Sequence, residues 1–270
     1  MKKMKFGLST KIIACILTVQ IVVMGVLVLF IGNAITNNTK QSTTNNMETV
    51  VEERSRIIDN YVQEMEQTLT AYSRAGEILD VLKNPTDEAA VAAAQAYTEK
   101  FSADVSNLEG LYVSEWNTHV LAHTNAAVVG ITTREGDPLK ALQDALLAAD
   151  GVYNTGIIIS PASGQQIVSL YRAVFDESGN PVGLVGGGIF TTGLIQLLDS
   201  LTMQGMENAE YRMVNATNGQ YIFCEDGEKV ATEAEEEYIR DLCAKFSGSA
   251  QNDMGFTEYT ENGQENIATY

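Results

Sequence analysis

Between Gly156 and Tyr171 the chain reads GIIISPASGQQIVSLY, and between Gly255 and Tyr270 it reads GFTEYTENGQENIATY. The two segments align without a gap at an offset of 99, and Gly156/Gly255, Gly164/Gly263, Gln165/Gln264 and Tyr171/Tyr270 are identical. Each is a β-like run, a turn and a second β-like run. Four identities in sixteen positions lie within reach of chance. The order of elements around them argues for duplication.

Ahead of the first copy, Leu111–Glu115 and His119–Thr124 flank Trp116-Asn117-Thr118 as a hairpin. Asp137-Pro138 opens a helix through Ala149, with Asp137 as N-cap and Pro138 in the first helical position. Strands at Val152–Ile159, Gln166–Asp176 and Pro181–Ile189 follow, joined by Pro161–Gly164 and Glu177–Asn180. Two strands, a helix and three strands make an α+β module with an antiparallel sheet. The order then restarts. Leu194–Met203 reads as a helix, Tyr211–Val214 and Gln220–Cys224 as strands, Glu233–Phe246 as a helix and Phe256–Tyr259 as a strand before the turn Glu261-Asn262-Gly263. The second copy stops at Tyr270, where the first runs on to a closing strand. An open, half-apolar edge would remain, so the natural protein is expected to continue.

Ahead of both modules, Ile12–Ile31 reads IIACILTVQIVVMGVLVLFI with no charge. As a helix these residues cover the roughly 30 Å hydrocarbon core of a bilayer. Gly32-Asn33-Ala34 resembles a signal-peptidase site, but the apolar run exceeds a secretory h-region, which favours an anchor. Lys2, Lys3, Lys5 and Lys11 precede the span, placing residues 1–11 in the cytoplasm and everything after 12–32 outside the cell membrane. Beyond the span, Met47, Val51, Ile58, Tyr61, Met65, Leu69 and Tyr72, then Leu79 and Leu82, mark one face of a long helix that Asn84-Pro85 stops. Such a stripe backs a domain or pairs with a twin in a homodimer. An Ala-rich helix over 87–101 follows.

Composition excludes several functions. Net charge is −18, and the body after residue 32 holds 13 basic against 35 acidic residues, which argues against a nucleic-acid partner. Cys15, Cys224 and Cys243 have no metal spacing; the last two could pair outside the cell or remain free. His119 and His123 lack companion ligands, so no metal is expected. Gly183–Gly188 lacks the Lys-Ser/Thr and helix of a phosphate loop and reads as a closely approached strand. Glu233–Glu237 suits a helix N-terminus. No nucleophile–base constellation is present, so the chain reads as a non-enzyme without cofactor.

A basic leader, one span, a long helix and tandem modules resemble the double Cache sensors of bacterial methyl-accepting chemotaxis proteins, whose modules are PAS-like. Val120–Asn125 with Val129-Gly130 is similar to their "vlaHtn…vG" stretch, and Gly179–Gly186 to their "GnpvGlvg" turn and last strand. The resemblance covers nearly the whole chain: helices over 33–104, a membrane-distal module over 105–192 and a membrane-proximal one over 193–270. It implies a small-molecule pocket between the distal sheet and the loops around the 138–149 helix, lined by Tyr112, Ser114, Trp116, His123, Arg134, Ser169 and Tyr171. Arg134 stands where family members clamp a ligand carboxylate. Departures are visible. Gly136-Asp137 replaces a Trp-Tyr pair, and Gly188 replaces the Asp that holds an amino acid's ammonium group. The expected ligand is therefore a small carboxylate or neutral polar molecule. Histidine kinases and diguanylate cyclases carry the same sensors, so the output domain stays open.

Overall fold

The structure, a computed structural model, describes residues 8–200, 209–247, 253–261 and 263–270. Lys2, Lys3, Lys5, Met203 and Asn262 lie outside the described residues. Two compact units emerge, residues 54–248 and residues 1–53 with 249–270.

Helix α1 (Leu8–Ser73) carries the apolar run, whose side chains are exposed, and it is long and apolar enough to cross a membrane. The helix continues unbroken through the Asn- and Thr-rich stretch after it. It buries Met65, Leu69 and Tyr72 as the stripe requires, but it ends at Ser73 and not at Asn84. The bonds Arg74 N to Ala71 O and Ala75 N to Tyr72 O tighten the last turn. Ala75 then goes extended (φ −65°, ψ 145°) ahead of Gly76, the poorest helix former after proline, so a separate α2 (Gly76–Lys83) begins. Helix α3 (Glu88–Ser102) starts where Asp87 accepts a hydrogen bond from the Ala89 amide.

The first module is a five-stranded antiparallel sheet of order β2-β1-β5-β4-β3, built from β1 (Leu108–Glu115), β2 (Val120–His123), β3 (Val152–Ile159), β4 (Gln166–Phe175) and β5 (Pro181–Phe190). Both faces are covered, which is why β4 and β5 read as nearly continuous apolar runs. Along β4, Val168, Leu170 and Val174 face the core shared with α1, α2 and α3. Tyr171 and Ala173 alternate to the other face, against Leu142 and Leu146 of α4 (Gly136–Ala148). The cap of α4 differs from expectation. Gly136 adopts φ +59°, a left-handed entry that suits glycine, so the cap falls at Glu135 and Asp137 sits inside the first turn.

The duplication is visible as geometry. Thr118 and Gly219 both take positive φ. His119 bridges Thr132 as Gln220 bridges Glu233. Val120 N bonds Ile131 O as Tyr221 N bonds Thr232 O. Asn125 and Asp226 each cap a 3-10 turn, at Ala126–Val128 and Gly227–Lys229. All these pairs keep an offset of 101. They also explain why α6 runs only from Glu237 to Phe246. Thr232–Ala234 bond back to Gly219–Tyr221, which takes Glu233–Glu235 out of the expected helix and leaves Glu236 as its cap. Helix α5 (Thr191–Asp199) and the short pair β6 (Met213–Val214) and β7 (Tyr221–Phe223) complete this unit. Cys224 and Cys243 are free thiols in one apolar cluster, both with pKa raised by burial.

In the other unit β8 (Phe256–Glu261) pairs with β9 (Gln264–Thr269), and Gly255 and Tyr270 exchange backbone bonds in both directions. Gly263 turns this hairpin with φ +79°, as Gly164 turns β3–β4 with φ +69°.

Candidate functional site

A cavity of about 300 Å³ opens on the α4-side face of the first sheet. Five of the seven residues singled out by sequence line it: Tyr112, His123, Arg134, Ser169 and Tyr171. Ser114 and Trp116 do not. Ser114 lies fully buried beyond a register shift between Val113 and Ser114, and Trp116 packs against the Leu142–Leu146 cluster while its carbonyl accepts from Gln143. Helix α4 itself contributes no wall. Thr133, the Ile158–Ala162 segment and the 3-10 residue Val128 do so instead.

Arg134 is fixed from behind. The Thr118 hydroxyl accepts from the Arg134 amide at 3.0 Å and donates to its carbonyl at 3.0 Å. The guanidinium donates to the Tyr171 hydroxyl at 3.0 Å and lies 4.9 Å from the centre of that ring. Burial works against its charge, but the Tyr171 and Tyr112 hydroxyls outweigh this and raise its pKa. Burial, and then Tyr171, push the Tyr112 hydroxyl upward. No carboxylate pairs with Arg134 among the described residues.

His123 stacks on Tyr112 with centroids 5.3 Å apart and planes 13° apart. Its Nδ1 accepts from the Asn125 amide at 2.7 Å, so the neutral ring carries its proton on Nε2. Burial lowers its pKa, partly offset by Glu109. Gln95 of α3 holds the strand in place, bonding the His123 amide and carbonyl at 3.0 Å each.

Glu109 is the residue that pattern reading missed. Strict alternation puts it on the face of Leu111, in the helix-side core. The β1–β5 register instead shifts between Leu108 and Gly110, a bulge that turns Glu109 into the cavity. The Ser160 hydroxyl donates to its Oε1 at 2.6 Å, and the Ala162 and Ser163 amides donate to that hydroxyl. Its Oε2 lies 3.1 Å from where a Cβ on Gly188 would stand. The lack of an acid at 188 therefore leaves no lack of an acid beside 188. The one signal in the sequence was a lone Glu in the apolar run LEGLYV.

In the second module the charged groups at the equivalent positions bond one another. At the offset of 101, Glu109, Val120 and Val128 become Glu210, Tyr221 and Lys229. Arg212 bonds Glu210 at 2.8 Å, Glu236 at 3.3 Å and the Tyr238 hydroxyl at 2.9 Å, while the Tyr221 hydroxyl donates to Glu236.

No protein-family model matches the chain, and no curated protein matches it in sequence. Solved structures do match. The sensory domain of the Campylobacter jejuni chemoreceptor Tlp3 with isoleucine bound is 13% identical, with a TM-score of 0.61, covering 86% of this chain and 88% of that one. The sensor domain of the Vibrio cholerae histidine kinase DctB is 11% identical, with a TM-score of 0.59 and coverage of 85% and 86%. An extracellular ligand binding receptor from Desulfohalobium retbaense is 13% identical, with a TM-score of 0.57; 81% of this chain is matched, but only 36% of that chain. The chain has the fold of chemoreceptor and histidine-kinase sensor domains.

Proposed function

We propose that this chain is the ligand-sensing region of a bacterial transmembrane chemoreceptor, anchored by residues 12–32 with its N-terminus in the cytoplasm and its sensor outside. The first module, 105–192, takes a small-molecule carboxylate; 193–270 forms the second module, and the stripe on α1 pairs two copies. The observation that carries the reading is Arg134, a half-buried guanidinium in a cavity of about 300 Å³, braced by Thr118 and facing no acid of its own among the described residues. A planar two-pronged donor in such a place suits a carboxylate. The isoleucine bound by the Campylobacter relative supports a ligand of this size. The likeness to a kinase sensor supports a second reading, in which the same module feeds a kinase or cyclase domain.

Calorimetric titration of the full chain in detergent with the twenty L-amino acids and small organic acids tests this. Arg134→Ala is expected to weaken any binder on the order of 100-fold, and Arg134→Lys to recover part of the loss. Binding insensitive to Arg134→Ala would overturn it.

A further inference from the structure

In both modules an arginine is braced on a tyrosine hydroxyl. Arg134 donates to Tyr171 at 3.0 Å, and Arg212 donates to Tyr238 at 2.9 Å. What the guanidinium meets next differs. Arg134 borders a cavity, whereas Arg212 donates to Glu236 Oε1 at 3.3 Å. Lys229 Nζ lies 3.7 Å from the same oxygen, and the Tyr221 hydroxyl donates to Oε2 at 2.5 Å. One carboxylate thus takes a guanidinium, an ammonium and a hydroxyl, with both oxygens used and the side chain only 15% exposed. Proteins hold free carboxylates with such donor sets.

The backbone position of Glu236 makes this arrangement unusual. The residue caps α6, where an acidic side chain ordinarily accepts from the first amides of the helix, yet it makes no such bond. It reaches across to β7 and the 3-10 turn instead. There Tyr221 and Lys229 are the counterparts, at the offset of 101, of Val120 and Val128, which border the first cavity. Those valine side chains bring no donor to that cavity. In the second module the same two positions carry donors, and both converge on Glu236.

We propose that the second module contains a carboxylate-binding site occupied by its own Glu236, a tethered ligand held by Arg212, Tyr221 and Lys229. The module is thereby kept in its bound form with no small molecule present. No residue of the first cavity takes part, and the reading of Arg134 stands or falls separately.

Cutting the tether provides the test. Glu236→Ala removes a methylene and a carboxylate, the two carbons and two oxygens of acetate. Hydrogen exchange of the full chain in detergent at neutral pH, followed over β7 and α6, reads the site locally. Glu236→Ala is expected to lose protection there. Sodium acetate at about 100 mM, binding with a Kd on the order of 10 mM, should then slow the exchange about 10-fold relative to sodium chloride at equal ionic strength. Acetamide, neutral and of nearly the same shape, should not. The unmodified chain and Glu236→Gln, in which a side chain still fills the site, should not respond to acetate. An acetate response confined to Glu236→Ala bears the proposal out. No response, an equal response to acetamide or chloride, or the same response in Glu236→Gln overturns it and leaves Glu236 as an ordinary ion pair. If Glu236→Ala is unfolded in chloride, protection restored by acetate supports the site, and protection absent in both salts overturns it.

Discussion

At the scale of the residue, His123 has a consequence for pH. Protonating Nδ1 breaks its bond from the Asn125 amide, and burial disfavours the imidazolium in any case. The folded pKa is therefore below 6.5, and as pH falls the unfolded chain takes the proton first. Stability from this group is complete above about pH 6.5 and declines below it. Urea midpoints at pH 7.5 and 5.5 should fall further in the unmodified chain than in His123→Gln; equal slopes would remove His123 as the cause. That His123 and Arg134 border the cavity was legible through the family resemblance, His123 by its motif-like stretch and Arg134 by its position alone. Glu109 was not, because a single bulge reverses the alternation that a strand pattern assumes. Ser114 and Trp116 were misplaced for the complementary reason: proximity along a strand says nothing about which side chain reaches a cavity.

At the scale of the element, β5 is defined by what its glycines meet. A Cβ on Gly183 would lie 2.5 Å from the Ser114 carbonyl oxygen, which belongs to a paired strand and has little room to move. A Cβ on Gly187 would meet the terminal methyl of Met65 at 2.5 Å, the end of a flexible side chain. Gly183→Ala is therefore expected to cost about 3 kcal/mol and Gly187→Ala about 1 kcal/mol, read from denaturant unfolding. The reverse order would mean that β1 yields more readily than α1. Leu170, fully buried in the helix-side core, should cost about 2–5 kcal/mol as Leu170→Ala. The α-helices and the strands of the first sheet were legible by type, because period 2 and period 3.6 separate cleanly here, whereas the 3-10 turns at Ala126–Val128 and Gly227–Lys229 were not. Boundaries failed where one backbone angle decided them, at Ala75 and Gly136, and where long-range pairing overrode propensity, at Thr232–Ala234.

At the scale of the whole molecule, two copies of one design have diverged in how they treat charge. The first leaves Arg134 and Glu109 facing a cavity, whereas the second closes Arg212, Glu210, Glu236 and Lys229 on one another. One ligand per chain is the expected stoichiometry. Burial alone would raise the pKa of Glu236, but the Tyr221 hydroxyl and Arg212 outweigh it and hold the carboxyl below its ordinary value. Its contribution is then present above the unfolded value and lost as pH falls through the lower folded one. Glu236→Gln should lower the unfolding midpoint at pH 7 and leave ligand affinity unchanged; altered affinity would show that the second copy takes part in capture. Duplication was legible from the repeated order of elements around sixteen aligned residues, but the divergence was not, since it depends on which side chains meet across the fold.

On the proposed reading of the cavity, the glycine run in β5 also bears on how ligand preference can change. Side chains added at 186 or 188 run into the Tyr112 ring, or into Ile167 and Glu109, so those two positions are closed to variation. New specificities have to be written elsewhere, at Val120, Val128 and the Ile158–Ala162 segment, where side chains already border the cavity. A mutational library confined to those positions should yield altered ligand preference without loss of folding, while one placed at Gly183, Gly186 and Gly188 should yield mostly unfolded protein.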